Sequence, residues 1–251
     1  GAGFADITYS FYEVFAAFFG IPTRIVPLLA DFTFDLDALR RTDCQGYYIA
    51  NPNAPTGIGI GRETLEQFAV SVPDRIVILD EAYMDFFGES CVSLIGRCPN
   101  VLVVKTFSKS YALAGIRCGY AIGDRALIAA LLRMKDCFNS YPVDGVAQAV
   151  CTAAVQDTAY YSAVTQNVVS ERKRVQNALR DMGFTVPESA SNFLFAGRAK
   201  AGGKEIYTRL KEAGVLVRFW DKPVLRDFVR ITVGTAEQND ALLRQLKEIL
   251  S

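Results

Sequence analysis

Three segments of this chain are continuously apolar, and each stops at a cluster of polar residues. Gly46-Tyr47-Tyr48-Ile49-Ala50 runs into Asn51, Ile76-Val77-Ile78-Leu79 runs into Asp80, and Val101-Leu102-Val103-Val104 runs into Lys105-Thr106. Unbroken apolar runs of this length, without the alternation of a strand facing water, read as buried strands. Between the first two, Leu65, Phe68, Ala69 and Val72 fall on one face of a helix predicted over residues 62–72, closed by Pro73-Asp74. Strands of this kind separated by helices imply an α/β fold with a mostly parallel sheet covered on both faces. Ligands then bind beyond the carboxyl ends of the strands. The motifs beginning at Asn51, Asp80 and Thr106 are therefore expected to converge on one site.

The rest of the chain extends this pattern. Phe11, Tyr12, Phe15, Phe18 and Phe19 suit a core helix closed by Gly20, with Tyr9 in the loop just before it, free to cover a planar ligand. Residues 25–27 form a short strand and 35–40 a short helix. Residues 118–122 form a further strand, Asp124 caps the next helix, and Asp144 opens one long helix reaching about Met182. Beyond Gly183 the style changes to short strands at 184–186, 192–196, 215–218 and 228–233. Helices lie at 204–213 and after a Thr235-x-x-Gln238 capping box, the last burying Leu242, Leu246 and Ile249. At 251 residues the chain is at the size where one core divides into two. The expected division is a large domain over 1–164 and a small C-terminal α+β domain over 165–251.

Lysine plus arginine (27) balance aspartate plus glutamate (27), so charge gives no case for nucleic acid or an anionic membrane as a partner. No apolar run approaches the roughly 20 residues of a membrane span. The six cysteines form no Cys-x-x-Cys pair and several lie in apolar segments, which points to a reducing, cytoplasmic compartment. The chain has no histidine, which excludes Ser-His and Cys-His nucleophile schemes and His-ligated metals. Catalysis is left to lysine, carboxylate, tyrosine or a cofactor, acting on a small molecule.

The polar clusters supply such a set: Lys109, Asp80, Tyr83 three residues on, and the donors Thr106, Ser108 and Arg117. Each alone has a plain structural reading, since an exposed lysine is usually just solvated and Asp80 would serve as a helix cap. Together at strand ends they fit one chemistry. A partly desolvated lysine forms a Schiff base, an aspartate keeps a pyridine nitrogen protonated, and hydroxyls with an arginine grip a phosphate. These are the requirements of pyridoxal 5′-phosphate.

Thr8-Tyr9-Ser10-Phe11-Tyr12, Asn51 to Gly57, Asp80-Glu81-Ala82-Tyr83, Thr106 to Gly119 and Arg230-Ile231-Thr232-Val233-Gly234-Thr235 occur in that order over nearly the whole chain. In these segments the sequence resembles the fold-type I pyridoxal-phosphate-dependent aminotransferases, most closely their histidinol-phosphate branch. The resemblance implies that Lys109 attaches the cofactor and carries the proton. Asp80 would pair with the ring nitrogen, Tyr83 with the phenolic oxygen, and Tyr9 would stack on the ring. Thr106, Ser108 and Arg117 would hold the phosphate. Arg230 would clamp the substrate carboxylate, and Arg218 the phosphate of a phosphorylated amino compound such as L-histidinol phosphate, with 2-oxoglutarate and glutamate taking turns in the same site. No metal is implied, and a homodimer is.

Two departures bear on this. Ala54 stands where the family carries asparagine before Pro-Thr-Gly, so Tyr83 must hold the phenolic oxygen with less help or Asn53 must reach it. The N-terminal arm, first strand and glycine turn of the family are not found ahead of Gly1, nor is the tyrosine that crosses the dimer interface, so the chain alone is expected to hold the cofactor poorly. An aromatic aminotransferase, an amino-acid phosphate decarboxylase, and a truncated non-catalytic interaction module stay open as alternatives.

Overall fold

The central sheet has six strands in the order β2-β1-β3-β4-β5-β6, formed by β1 (Ala2–Ala5), β2 (Thr23–Val26), β3 (Gly46–Ala50), β4 (Ile76–Asp80), β5 (Val101–Thr106) and β6 (Gly119–Gly123). This architecture is taken from a computed structural model, which describes residues 1–198 and 202–250. The first five strands are parallel, and β6 runs antiparallel to β5 with Thr106 opposite Gly119. The short link from β5 to β6 contains no crossover helix, so the chain can only turn back beside the strand it has left.

Strand β1 was not expected. Ala-Gly-Phe-Ala carries little strand signal, yet it lies between β2 and β3 with all four residues buried. Gly3 permits this: a Cβ there would come within 2.9 Å of Cys44 Sγ and of the Tyr47 ring. Helix α1 (Phe11–Phe18) follows, and here the sequence expectation is corrected. Phe11, Phe15, Phe18 and Phe19 are exposed, Phe18 at 78%, and Ala16 is the buried residue of the helix. The rings share a helical face as their spacing requires, but most of that face is left uncovered by the described residues.

Helices α2 (Leu36–Arg40) and α3 (Arg62–Val70) and the short 3-10 turn Cys91–Leu94 cover one core, which contains Leu39, Tyr47, Ile49, Leu65, Phe68, Val77, Leu79, Val101 and Val103. Asp35 caps α2 by accepting from the Ala38 N–H at 2.7 Å. After α4 (Arg125–Phe138), the single long helix expected from Asp144 is two, α5 (Gly145–Gln156) and α6 (Thr158–Asp181). Asp157 separates them: its backbone leaves the helical region, and its carboxylate caps α6 through the Tyr160 N–H at 3.1 Å. Residue 165 lies within α6, whose later residues Val175 and Leu179 belong to a second core.

That core lies on a three-stranded antiparallel sheet, β7 (Phe193–Gly197), β9 (Phe228–Thr232) and β8 (Arg218–Phe219), with β9 central. Ile206 and Leu210 of α7 (Gly203–Glu212) and Leu242 and Leu246 of α8 (Ala236–Leu250) complete it. The strand expected at 184–186 is only a bridge from Thr185 to Gly197, and the one at 215–218 shrinks to two residues. The capping box of α8 forms: Thr235 N–H donates to Gln238 Oε1 at 3.0 Å and Gln238 N–H to Thr235 Oγ1 at 3.4 Å. A third apolar cluster, Ile7, Phe195 and Leu225 with Phe32 and Trp220, packs the loops of the first sheet against the second.

Candidate active site

A cavity of about 320 Å³ opens at the carboxyl ends of β3, β4 and β5, and its wall includes Tyr9, Asp80, Tyr83, Thr106, Ser108, Lys109 and Arg117. The parallel register brings them together. Asp80, the last residue of β4, is paired with Ala50 on one side and Val104 on the other, so the polar residues that follow each strand emerge side by side.

Asp80 is held from two directions. Its Oδ2 accepts from the Tyr12 hydroxyl at 2.5 Å and its Oδ1 from the Ala82 N–H at 3.1 Å. Burial pushes its carboxyl above the ordinary carboxylate range, and the Tyr12 and Ala82 bonds and the Lys109 charge offset this only in part. Tyr12 is raised in turn, first by burial and then by the Asp80 charge. A buried carboxylate with one oxygen on a phenol is suited to pair with a cation placed in the cavity.

Lys109 follows β5 in the loop. Its Nζ lies 5.3 Å from the centroid of the Tyr83 ring, and among the described residues no carboxylate reaches it at ion-pair distance. Tyr83 packs edge-on against Phe193 of β7, 5.0 Å between centroids, so the small sheet backs the cavity. Thr106 Oγ1 accepts from the Ser108 N–H at 3.1 Å and shapes the turn that presents both hydroxyls. Arg117 has left-handed backbone angles, φ 57 and ψ 38, and its guanidinium donates to the Ala114 carbonyl at 2.7 Å. A non-glycine residue held there costs on the order of 1 kcal/mol, which the surrounding loop must offset.

Three residues expected at the site are placed differently. Asn53 is fully buried behind the wall, where Pro52 and Ala54 face the cavity. Its amide donates to the Ile7 carbonyl at 2.9 Å and to Thr56 Oγ1 at 3.2 Å, and accepts from Thr8 Oγ1 at 2.8 Å. It thereby fixes the segment that carries Tyr9. Arg218 and Arg230 are directly opposed across β8 and β9 and do not line the cavity. Both guanidinium carbons lie over the Trp220 ring, at 5.4 and 5.5 Å, and Arg230 also lies 5.0 Å from the Phe193 ring. The Arg230 Nε is buried with no hydrogen-bond partner among the described residues. Burial lowers its pKa, Tyr83 opposes this, and the Arg218 charge adds to the lowering. Two like charges in register with one orphaned donor are the setting for an anionic ligand.

Two residues went unnoticed in the sequence. Tyr12 reads there as a core aromatic, although a tyrosine among phenylalanines signals a hydroxyl that needs a partner. Lys105 reads as the end of a strand, yet it is a second lysine in the cavity wall, ion-paired to Asp85. Among the described residues no group of three or more His, Cys, Asp or Glu side chains is placed to hold a metal, and no helix is long and apolar enough to cross a membrane.

The family model for aminotransferase class I and II matches residues 4–246. The histidinol-phosphate aminotransferase of Marinomonas sp. (strain MWYL1) is 45% identical over 248 residues, which cover 98% of this chain and 70% of that protein. Among solved structures, the histidinol-phosphate aminotransferase of Clostridium acetobutylicum superposes with a TM-score of 0.92 at 25% identity, over 99% of this chain and 77% of the other. The enzyme of that name from Sinorhizobium meliloti, solved in complex with pyridoxal-5′-phosphate, gives 0.88 at 26% identity, over 99% and 70%.

Proposed function

The chain belongs to the class I and II aminotransferases and is a pyridoxal-phosphate-dependent enzyme, and from that membership we propose that it transfers an amino group between L-histidinol phosphate and 2-oxoglutarate. The observation that carries the reading is the convergence of Asp80, Tyr83, Lys109 and Arg117, from the end of β4 and the loop between β5 and β6, on one cavity.

The donor set fits the cofactor. When bound, pyridoxal 5′-phosphate supplies an aldehyde for covalent attachment and a protonated ring that accepts electrons. In this reading Asp80, held by Tyr12, keeps the ring nitrogen protonated. Lys109 is the attaching amine and moves the proton, while Tyr83 donates to the phenolic oxygen and Tyr9 covers a ring face. Thr106, Ser108 and Arg117 hold the phosphate, with Asn53 acting behind them on the Tyr9 loop. Arg230, with its orphaned Nε, takes the α-carboxylate of 2-oxoglutarate or glutamate, and Arg218 beside it takes the phosphate of L-histidinol phosphate, which has no carboxylate, or the second carboxylate of 2-oxoglutarate.

A cytoplasmic homodimer completes the proposal. Phe15, Phe18 and Phe19 on and after α1, and Met134 and Phe138 on α4, form exposed apolar surface of the kind a second subunit covers. Incubation of the holoenzyme with L-histidinol phosphate and 2-oxoglutarate is expected to yield glutamate, and Lys109→Ala to abolish both turnover and the absorbance of the attached cofactor. An attached-cofactor band that survives Lys109→Ala overturns the role of Lys109. Carbon dioxide release without a keto product identifies a decarboxylase instead, and Arg218→Ala is expected to weaken phosphorylated substrates more than others.

A further inference from the structure

Two lysines line the cavity, Lys105 at the end of β5 and Lys109 in the loop beyond it. Both carry a primary amine, and an aldehyde does not by itself distinguish them. Their surroundings do. Lys105 Nζ donates to Asp85 Oδ1 at 2.8 Å and lies 3.6 Å from Glu81 Oε2, with side chains 12%, 11% and 0% exposed for Lys105, Asp85 and Glu81. The carboxylates are themselves tied down. Asp85 Oδ2 accepts from the Ser110 hydroxyl, Glu81 Oε2 from the Ser90 hydroxyl, and Glu81 Oε1 from the Cys91 N–H at 2.6 Å.

We propose that Asp85 and Glu81, by closing an ion-pair cluster around Lys105, reserve covalent attachment of the cofactor for Lys109. An amine adds to an aldehyde carbon through its nitrogen lone pair, and its two hydrogens leave with the carbonyl oxygen as water. An ammonium ion has no lone pair to offer. Burial alone would favour the neutral form of Lys105, but the Asp85 hydrogen bond and the Asp85 and Glu81 charges outweigh it and keep the ammonium. Among the described residues no carboxylate comes within ion-pair distance of Lys109, which lies against the face of Tyr83 and feels the Asp80 charge only at longer range. A cluster serving stability alone could be replaced by apolar side chains at little cost. Here one carboxylate bonds both Lys105 and Ser110, so it also fixes the segment on either side of Lys109. Asp85 and Glu81 are positioning residues; neither is placed to touch the cofactor itself.

The inference rests on the assignment of Lys109 above, and the test separates the two. Holoenzyme is reduced with borohydride, which fixes the cofactor on its lysine, and digested with trypsin, which does not cut at a modified lysine. Attachment at Lys109 leaves a peptide of residues 106–117, and attachment at Lys105 one of residues 98–109. The unmutated holoenzyme is expected to give only the first. Glu81→Gln with Asp85→Asn leaves Lys105 buried without a counter-charge and is expected to place about a tenth or more of the label on 98–109. Label confined to 106–117 in a folded double variant overturns the proposal, whereas label away from Lys109 in the unmutated enzyme overturns the assignment of Lys109. A second measurement needs no variant: competitive acetylation of the cofactor-free full chain is expected to modify Lys105 about tenfold more slowly than Lys109. Equal rates overturn the proposal.

Discussion

The Tyr12 hydroxyl lies 2.5 Å from Asp80 Oδ2, a bond between residues 68 apart that joins the start of α1 to the end of β4. It makes Tyr12 part of the candidate site without placing it in the cavity wall.

Tyr12→Phe removes this donor and keeps the ring against Phe4 and Tyr48. The bond draws the Asp80 carboxyl down against the effect of burial, so its loss leaves Asp80 neutral over a wider pH range and a weaker partner for a protonated ring nitrogen. A hydrogen bond to a charged group contributes roughly 1.5–3 kcal/mol, so cofactor affinity is expected to fall about tenfold or more. Absorbance titration of the cofactor-free protein measures this, and an unchanged dissociation constant would show that Tyr12 is only packing.

Asp80 also sets a pH dependence in the cofactor-free protein. Its folded pKa is raised above the ordinary value of 3.8, so between the two the native state binds more protons than the unfolded chain. Stability from this group is therefore fully present below the unfolded value and is lost as the pH rises through the folded one. Asp80→Asn removes the dependence. Urea unfolding of both proteins across this range is expected to show the wild type losing ground to the variant as pH rises, and a constant difference would contradict the raised pKa.

Gly57 closes the loop behind the cavity at φ 77, with its N–H on the Asn53 carbonyl and its own carbonyl receiving the Ala190 N–H, each at 2.7 Å. A Cβ there would meet Ser189 Oγ at 2.8 Å. Gly57→Ala thus combines left-handed strain with a close contact against buried serines, and is expected to cost about 2 kcal/mol in urea unfolding. A cost below about 0.5 kcal/mol would mean that the Ser189 loop yields freely.

What the sequence disclosed was local. Strands β3, β4 and β5 and the polar residues after them follow from runs of neighbouring residues, and parallel pairing then brings their ends together. Strand β1 was hidden because Ala2 to Ala5 is a strand by virtue of β2, β3 and the close packing at Gly3. The spacing of the α1 rings gave a shared face but carried no information about what covers it. Asp157 ended a helix through one cap inside an otherwise helical stretch. The Tyr12–Asp80 bond and the Lys105 cluster join residues far apart in sequence, and only their polar identity in apolar surroundings marked them.

Arg172 of α6 tests how the two sheets support the site. Its guanidinium donates to the Phe86 carbonyl at 2.9 Å and the Ser191 carbonyl at 2.7 Å. Phe86 lies three residues after Tyr83 and Ser191 two before Phe193, so one side chain anchors both partners of the Tyr83–Phe193 contact. Burial lowers the Arg172 pKa and the Glu188 charge partly restores it. Arg172→Met keeps the apolar stem but strands two buried carbonyls, and the regained solvation of the guanidinium offsets only part of that loss. A destabilisation of about 2–4 kcal/mol is expected in urea unfolding. Because Tyr83 is displaced with its support, the absorbance of the attached cofactor is expected to change in the folded variant as well. Arg172→Lys, which restores charge but offers a single point of contact, should recover part of the stability. A spectrum identical to wild type in Arg172→Met would show that Tyr83 is held by its own strand end and not by the second sheet.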